Sequence, residues 1–130
     1  MELDLKLKIL YIYTAITTIP FGFSILFFSD LWYSLFGIAR QEQIIFGIVG
    51  SVWIAFGLLS AWGYHFPIKF IPILMMQFFY KVIWIIGVFL PLIFSGNVSM
   101  LSIVLLLTFL TYVIPDIIII PWKTFTSKTN

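Results

Sequence analysis

A chain of 130 residues that is 62% hydrophobic, 20% aromatic and only 9% charged cannot clothe a soluble domain, which typically needs about a quarter of its residues charged. Its solvent is expected to be lipid, and the length allows one domain, residues 1–130. The formal charge of +2 comes from scattered lysines with no basic stripe, so a nucleic-acid partner is excluded, and the lack of cysteine excludes disulfides and thiolate chemistry.

Four apolar runs, approximately 9–28, 44–63, 68–94 and 98–121, each approach the roughly 20 residues that a helix needs to cross hydrocarbon. They do not alternate in polarity as barrel strands do. The pattern predicts an all-α fold: an integral-membrane, antiparallel bundle of four transmembrane helices.

The first run follows Lys6 and Lys8, as the core of a signal peptide follows its basic residues. It is longer than the ~7–15 residues of such a core, and Ser29, Asp30, Leu31 and Trp32 offer no small-x-small cleavage site. A retained helix is therefore expected. Tyr11, Thr14, Thr17 and Thr18 share one of its faces. Pro20 frees the carbonyl of Ile16, and Pro115 in the last run does the same for Thr111; such carbonyls are candidates to solvate a buried cation.

The first connection, 29–43, contains Leu31, Trp32, Tyr33, Leu35 and Phe36 ahead of Gly37 and a polar stretch, and predicts a short interfacial helix. In the second run Gly47, Ser51 and Ala55 recur every four residues, with Gly50, Gly57 and Ala61 on the same broad half and Phe56 opposite. This small-residue half is expected to be the packing face, because helices in lipid associate by close approach. The connections at 64–67 and 95–97 are short, so consecutive helices should be antiparallel neighbours.

The third run carries the polar signal. Gln77, Tyr80, Lys81, Trp84, Gly87 and Pro91 recur at three- and four-residue spacing and define an inward face. Met75, Phe79, Val82, Ile83, Ile86 and Phe89 define the opposite, lipid face. Lys81 is roughly 20 Å along the helix from either end of the run, too deep for its stem to reach water. A lysine there costs about 2.5–3.5 kcal/mol on insertion scales, which something must offset. In the fourth run Thr108, Tyr112 and Asp116 form a stripe at four-residue spacing. Gln77 and Tyr112 fall between the levels of Asp116 and Lys81. Asp116 could equally be hydrated from the membrane surface or paired with Lys69 or Lys123.

Loop cations orient the chain. Lys6, Lys8, Lys69, Lys123 and Lys128 fall on the side of the termini and Arg40 alone on the other, so both termini are expected to be cytoplasmic. Trp122 and Tyr64 should then sit at the inner interface, and Trp32 and Tyr33 at the outer one.

The kink at Pro20, the amphipathic 31–37 stretch and the Phe46-Gly47 to Phe56-Gly57 segment together resemble the layout of small bacterial four-helix membrane proteins of the DoxX-like group. The resemblance covers about the first half of the chain. It implies a bacterial inner membrane and an accessory role, and carries no site residues with it.

Catalytic motifs are scarce. His65 is the single histidine, and no pair of acids lies close in sequence. There is no metal-ligand spacing, no cofactor motif, and no phosphate loop or nucleophile elbow. The expected function is binding of a lipid-like or amphiphilic ligand, or of a membrane partner or second copy. The site would be an intramembrane pocket made by Lys81, Gln77, Tyr80, Trp84, Tyr112, Asp116, Thr17 and Thr18. Alternatives are a proton- or ion-coupled transporter using Asp116 and Lys81, and an enzyme acting on lipid or isoprenoid substrates.

Overall fold

A computed structural model describes residues 2–126. Lys128, one of the cations counted toward orientation, lies outside the described residues. The elements are α1 (Leu3–Phe27), α2 (Ser29–Phe36), α3 (Gln43–Gly63), α4 (Ile71–Ser95), α5 (Met100–Ile119) and α6 (Trp122–Thr126). Four of them, α1, α3, α4 and α5, are long and apolar enough to cross a membrane. No strand occurs among the described residues.

The helix ends follow local chemistry. α1 starts at Leu3 rather than at residue 9, because Lys8 Nζ pairs with Asp4 Oδ2 one turn earlier at 3.3 Å, and the charged flank stays helical. Pro72 sits in the first turn of α4, where its missing N–H leaves no hydrogen bond unmade. The Glu42 carboxylate caps α3 by accepting from the backbone N–H groups of Ile44 and Ile45 at 3.0 and 2.8 Å. Those two bonds hold its carboxyl below the usual carboxylate range. Ser99 and Ser102 close α5 with a reciprocal capping box. Gly37 and Gly96, at φ 61° and 75°, stop α2 and α4 in the left-handed region.

The closest approach is between α1 and α3. A Cβ on Gly57 would lie 2.3 Å from Ile19 Cγ1, and one on Gly22 would lie 2.5 Å from the Gly50 carbonyl oxygen. A Cβ on Gly63 would meet the Tyr11 ring at 2.9 Å. Gly22, Thr18 and Tyr11 thus face Gly50, Gly57 and Gly63 in turn. This corrects part of the expected packing face: Ser51, Ala55 and Ala61 are exposed, and Gly47 meets only Leu26 at 3.9 Å. The seven-residue step from Gly50 to Gly57, two helical turns, defines the seam. Phe56, expected on the outer face, is buried and stacks on Tyr80 at 5.4 Å between centroids.

The inward face of α4 changes register at a π-helical turn, Ile85–Phe89, in which the Leu90 N–H reaches back to the Ile85 carbonyl. Pro91 follows directly; it supplies no N–H, and its ring crowds the carbonyl four residues earlier. The wide turn absorbs one extra residue and rotates what comes after it. Gly87 and Pro91 are consequently exposed and Phe89 is buried, the reverse of the expectation from unbroken helical spacing.

The end that carries the described N- and C-terminal residues is packed by Leu7, Leu10, Tyr11, Ile71, Leu74 and Ile120. Tyr11 ties α1 to the α3–α4 connection by donating its hydroxyl to the Pro67 carbonyl at 2.7 Å. Outward positions are strongly apolar; Ile44 and Ile118 are each 73% exposed.

Candidate functional site: a cavity ending on a buried lysine

Between the tight α1–α3 pair and the α4–α5 pair lies a cavity of about 290 Å³. Its walls come from five elements. α1 gives Thr18, Pro20, Phe21 and Ser24, and α2 gives Leu31, Trp32, Leu35 and Phe36. Trp53 projects from α3, Tyr80 and Lys81 from α4, and α5 contributes Val104, Leu105, Thr108, Phe109 and Tyr112. Trp32 fastens α2 over the cavity: its indole N–H donates to Ser24 Oγ at 2.8 Å, and its ring meets Phe21, Phe36 and Trp53 at 6.1, 5.4 and 6.2 Å.

Lys81 is 1% exposed. Its Nζ donates to Gln77 Oε1 at 3.1 Å and stands 4.0, 4.6 and 5.7 Å from the ring centroids of Tyr112, Tyr80 and Phe109. The negative faces of these rings attract the ammonium, an interaction that strengthens when water is absent. Lys81 is therefore held by one side-chain amide and three aromatic rings, not by carbonyls freed at Pro20 or Pro115. Behind the rings, Tyr112 is hydrogen-bonded to Thr17, which also donates to the Tyr13 carbonyl at 2.8 Å.

One turn toward the termini lies a buried polar layer with one residue from each long helix. Thr14, Ser60, Gln77 and Asp116 are 1%, 0%, 1% and 2% exposed. Their common level follows from register: Ser60 lies between Gly57 and Gly63, which face Thr18 and Tyr11, and Asp116 lies one turn past Tyr112, which faces Thr17. Among the described residues Ser60 Oγ, Gln77 Nε2 and Asp116 Oδ2 have no hydrogen-bond partner. Asp116 and Lys81 lie in each other's electrostatic field without touching. Lys69, one expected partner of Asp116, sits over the Phe66 ring at 5.5 Å instead.

Of the expected site residues, Lys81, Tyr80, Tyr112 and Thr18 line the cavity. Gln77 and Thr17 support it from behind, by their bonds to Lys81 and Tyr112. Trp84 packs edge-on against Phe109 at 5.1 Å, outside the cavity wall. Asp116 lies beneath. No continuous hydrogen-bonded chain joins Asp116, Tyr112, Gln77 and Lys81, because the Tyr112 hydroxyl turns to Thr17 and Asp116 Oδ2 has no partner among the described residues.

Wall residues not expected from the sequence include Trp53, Phe109 and the apolar side of α2. Two of them carried a signal. Trp53 sits three and four residues from Gly50 and Gly57, on their side of the helix, and Phe109 precedes Tyr112 by one turn. Closure by α2 had no such signal, because the Ser24–Trp32 bond crosses the break between two helices. No cluster of three or more histidines or acids able to hold a metal occurs among the described residues. Compared with known proteins, the chain matches no family model, and no curated protein or solved structure is significantly similar to it.

Proposed function

We propose that the chain is a multi-pass membrane protein, an antiparallel four-helix bundle with both termini cytoplasmic, that binds a small amphiphile in the cavity ending on Lys81. The observation that carries this reading is a buried ammonium at the wall of an otherwise apolar, aromatic cavity, with one of its three N–H donors on Gln77. Small-molecule pockets share this build: apolar walls that supply affinity and a few polar groups that fix orientation. An intramembrane cation is costly to insert and marks function by default. Membrane lipids would reach such a site from the side, and a bacterial inner membrane fits the lysine bias of the termini.

Native mass spectrometry of gently extracted protein tests the proposal. A co-purifying amphiphile should be present in the wild type and lost from Lys81→Met, which keeps the stem and removes the charge, while helicity is unchanged. Retention of the same ligand by Lys81→Met would sink the reading. The field between Lys81 and Asp116 supports a second reading, proton-coupled movement of solute. It requires pH-driven flux in proteoliposomes that Asp116→Asn abolishes.

A further inference from the structure

We infer that the amphiphile taken by this cavity has an uncharged head that both accepts and donates a hydrogen bond, a single-chain alcohol in the simplest case. The inference rests on the cavity being a binding site, as proposed above, and concerns which ligand it selects.

Charge is the first argument. Among the described residues, Lys81 is the one charged side chain lining the cavity and Asp116 the one in the layer beneath it. The other polar side chains facing them, Thr14 and Thr17 from α1, Ser60 from α3, Gln77 and Tyr80 from α4, and Tyr112 from α5, carry hydroxyl or amide groups and no carboxylate or amine. Lys81 and Asp116 feel each other, and their sum is zero whichever of them holds the proton. An anionic head placed on Lys81 would leave a net negative charge inside a bundle whose outer surface is apolar. A cationic head would meet the ammonium, with no carboxylate among the lining residues. An uncharged head leaves the balance intact.

The hydroxyls in the wall give the second argument. Thr18 donates to the Thr14 carbonyl at 2.7 Å, Ser24 to that of Phe21 at 2.6 Å, and Thr108 to that of Val104 at 2.8 Å. Their protons are spent on their own helices; Ser24 already accepts from the Trp32 indole, so the lone pairs of Thr18 and Thr108 are the ones left to face the cavity. Lone pairs repel an anion and accept from a hydroxyl. Lys81 supplies the complementary donor in either protonation state. A head with one acceptor and one donor uses both.

Size is the third. About 290 Å³ lies just below the roughly 300–1,000 Å³ typical of small-molecule pockets. It holds one alkyl chain or a small ring.

The test uses full-length protein in lipid nanodiscs and two probes, 10-bromodecan-1-ol and 10-bromodecane-1-sulfonate. The bromine quenches Trp32 and Trp53 in the cavity wall, and a Trp32→Phe, Trp53→Phe variant corrects for probe dissolved in lipid. The wild type should show saturable quenching by the alcohol, with the sulfonate weaker by about tenfold or more. Asp116→Asn removes the balancing charge at constant shape, and should bring sulfonate binding level with the alcohol or above it. A wild type that prefers the sulfonate, or a preference unmoved by Asp116→Asn, overturns the assignment of the head while leaving the binding site standing. Absence of saturable quenching by both probes overturns the assignment together with the proposed function.

Discussion

Lys81 Nζ stands 4.0 Å from the centroid of the Tyr112 ring, and the hydroxyl of that ring is bonded to Thr17 on α1. One tyrosine thus joins α4, α5 and α1 around a buried cation. Its two functions are separable by mutation. Tyr112→Phe keeps the ring and loses the bond to Thr17, and should cost about 1 kcal/mol. Tyr112→Leu also removes the ring face and should cost a further 0.5–2 kcal/mol or so. The part of that extra cost owed to the cation should disappear when Lys81 is Met, leaving lost packing such as the Tyr13 ring contact, and a double-mutant cycle by reversible denaturation in detergent measures the coupling.

The α1–α3 seam should distinguish glycines that look alike in sequence. Gly57→Leu and Gly50→Leu place atoms where Ile19, Thr18 and the Gly22 backbone already are, and should each cost about 1–3 kcal/mol or prevent folding. Gly47→Leu should be mild, because only Leu26 is near. Thermal unfolding of the three variants decides, and equal tolerance would show that the helices do not meet there.

The π-turn is expected to depend on Pro91. The chain has no native cysteine, so single cysteines report cleanly. Val88→Cys should react with a membrane-permeant maleimide and Phe89→Cys should be protected, matching their exposed and buried positions. Adding Pro91→Ala restores the missing N–H, and should let the turn relax to ordinary helix and narrow or reverse that contrast.

Glu42, at the start of α3, gives a pH prediction. Its folded-state carboxyl lies below the ordinary 4.5 because the ionised form accepts two backbone N–H bonds. The cap is therefore fully present above that ordinary value and lost as pH falls through the lower folded value. Thermal stability should decline as pH falls below the ordinary 4.5, and Glu42→Gln should flatten that decline. An unchanged pH profile in the variant would remove the cap from the account.

Orientation is checked with reporters fused after Asn130. A cytoplasm-dependent reporter should be active there and a periplasm-dependent one silent, as the bias of Lys6, Lys8, Lys69, Lys123 and Lys128 against Arg40 requires.

Four long helices, their loops and the inward placing of Lys81, Gln77 and Tyr112 were legible in the sequence. Helix length and apolar patterning are one-dimensional properties, carried by the order of the residues alone. Asp116 was legible on the stripe of Tyr112 and as a group that could act together with Lys81, but not as a residue whose Oδ2 lacks a hydrogen-bond partner among the described residues. Pairing across helices depends on which faces meet, and spacing within one helix does not contain that.

The contacts between elements were not written in the sequence. Gly50 and Gly57, rather than Gly47, Ser51 and Ala55, became the seam because α1 presents Gly22 and Thr18 at matching heights. Phe89 replaced Gly87 and Pro91 on the inner face because one π-turn shifts every later residue. The cavity itself is a volume left where five elements fail to touch, and Trp32 closes it through a hydroxyl on another helix. Composition can require that a buried lysine be compensated. Which rings and which amide compensate it is a matter of distances, and those exist only once the helices have packed.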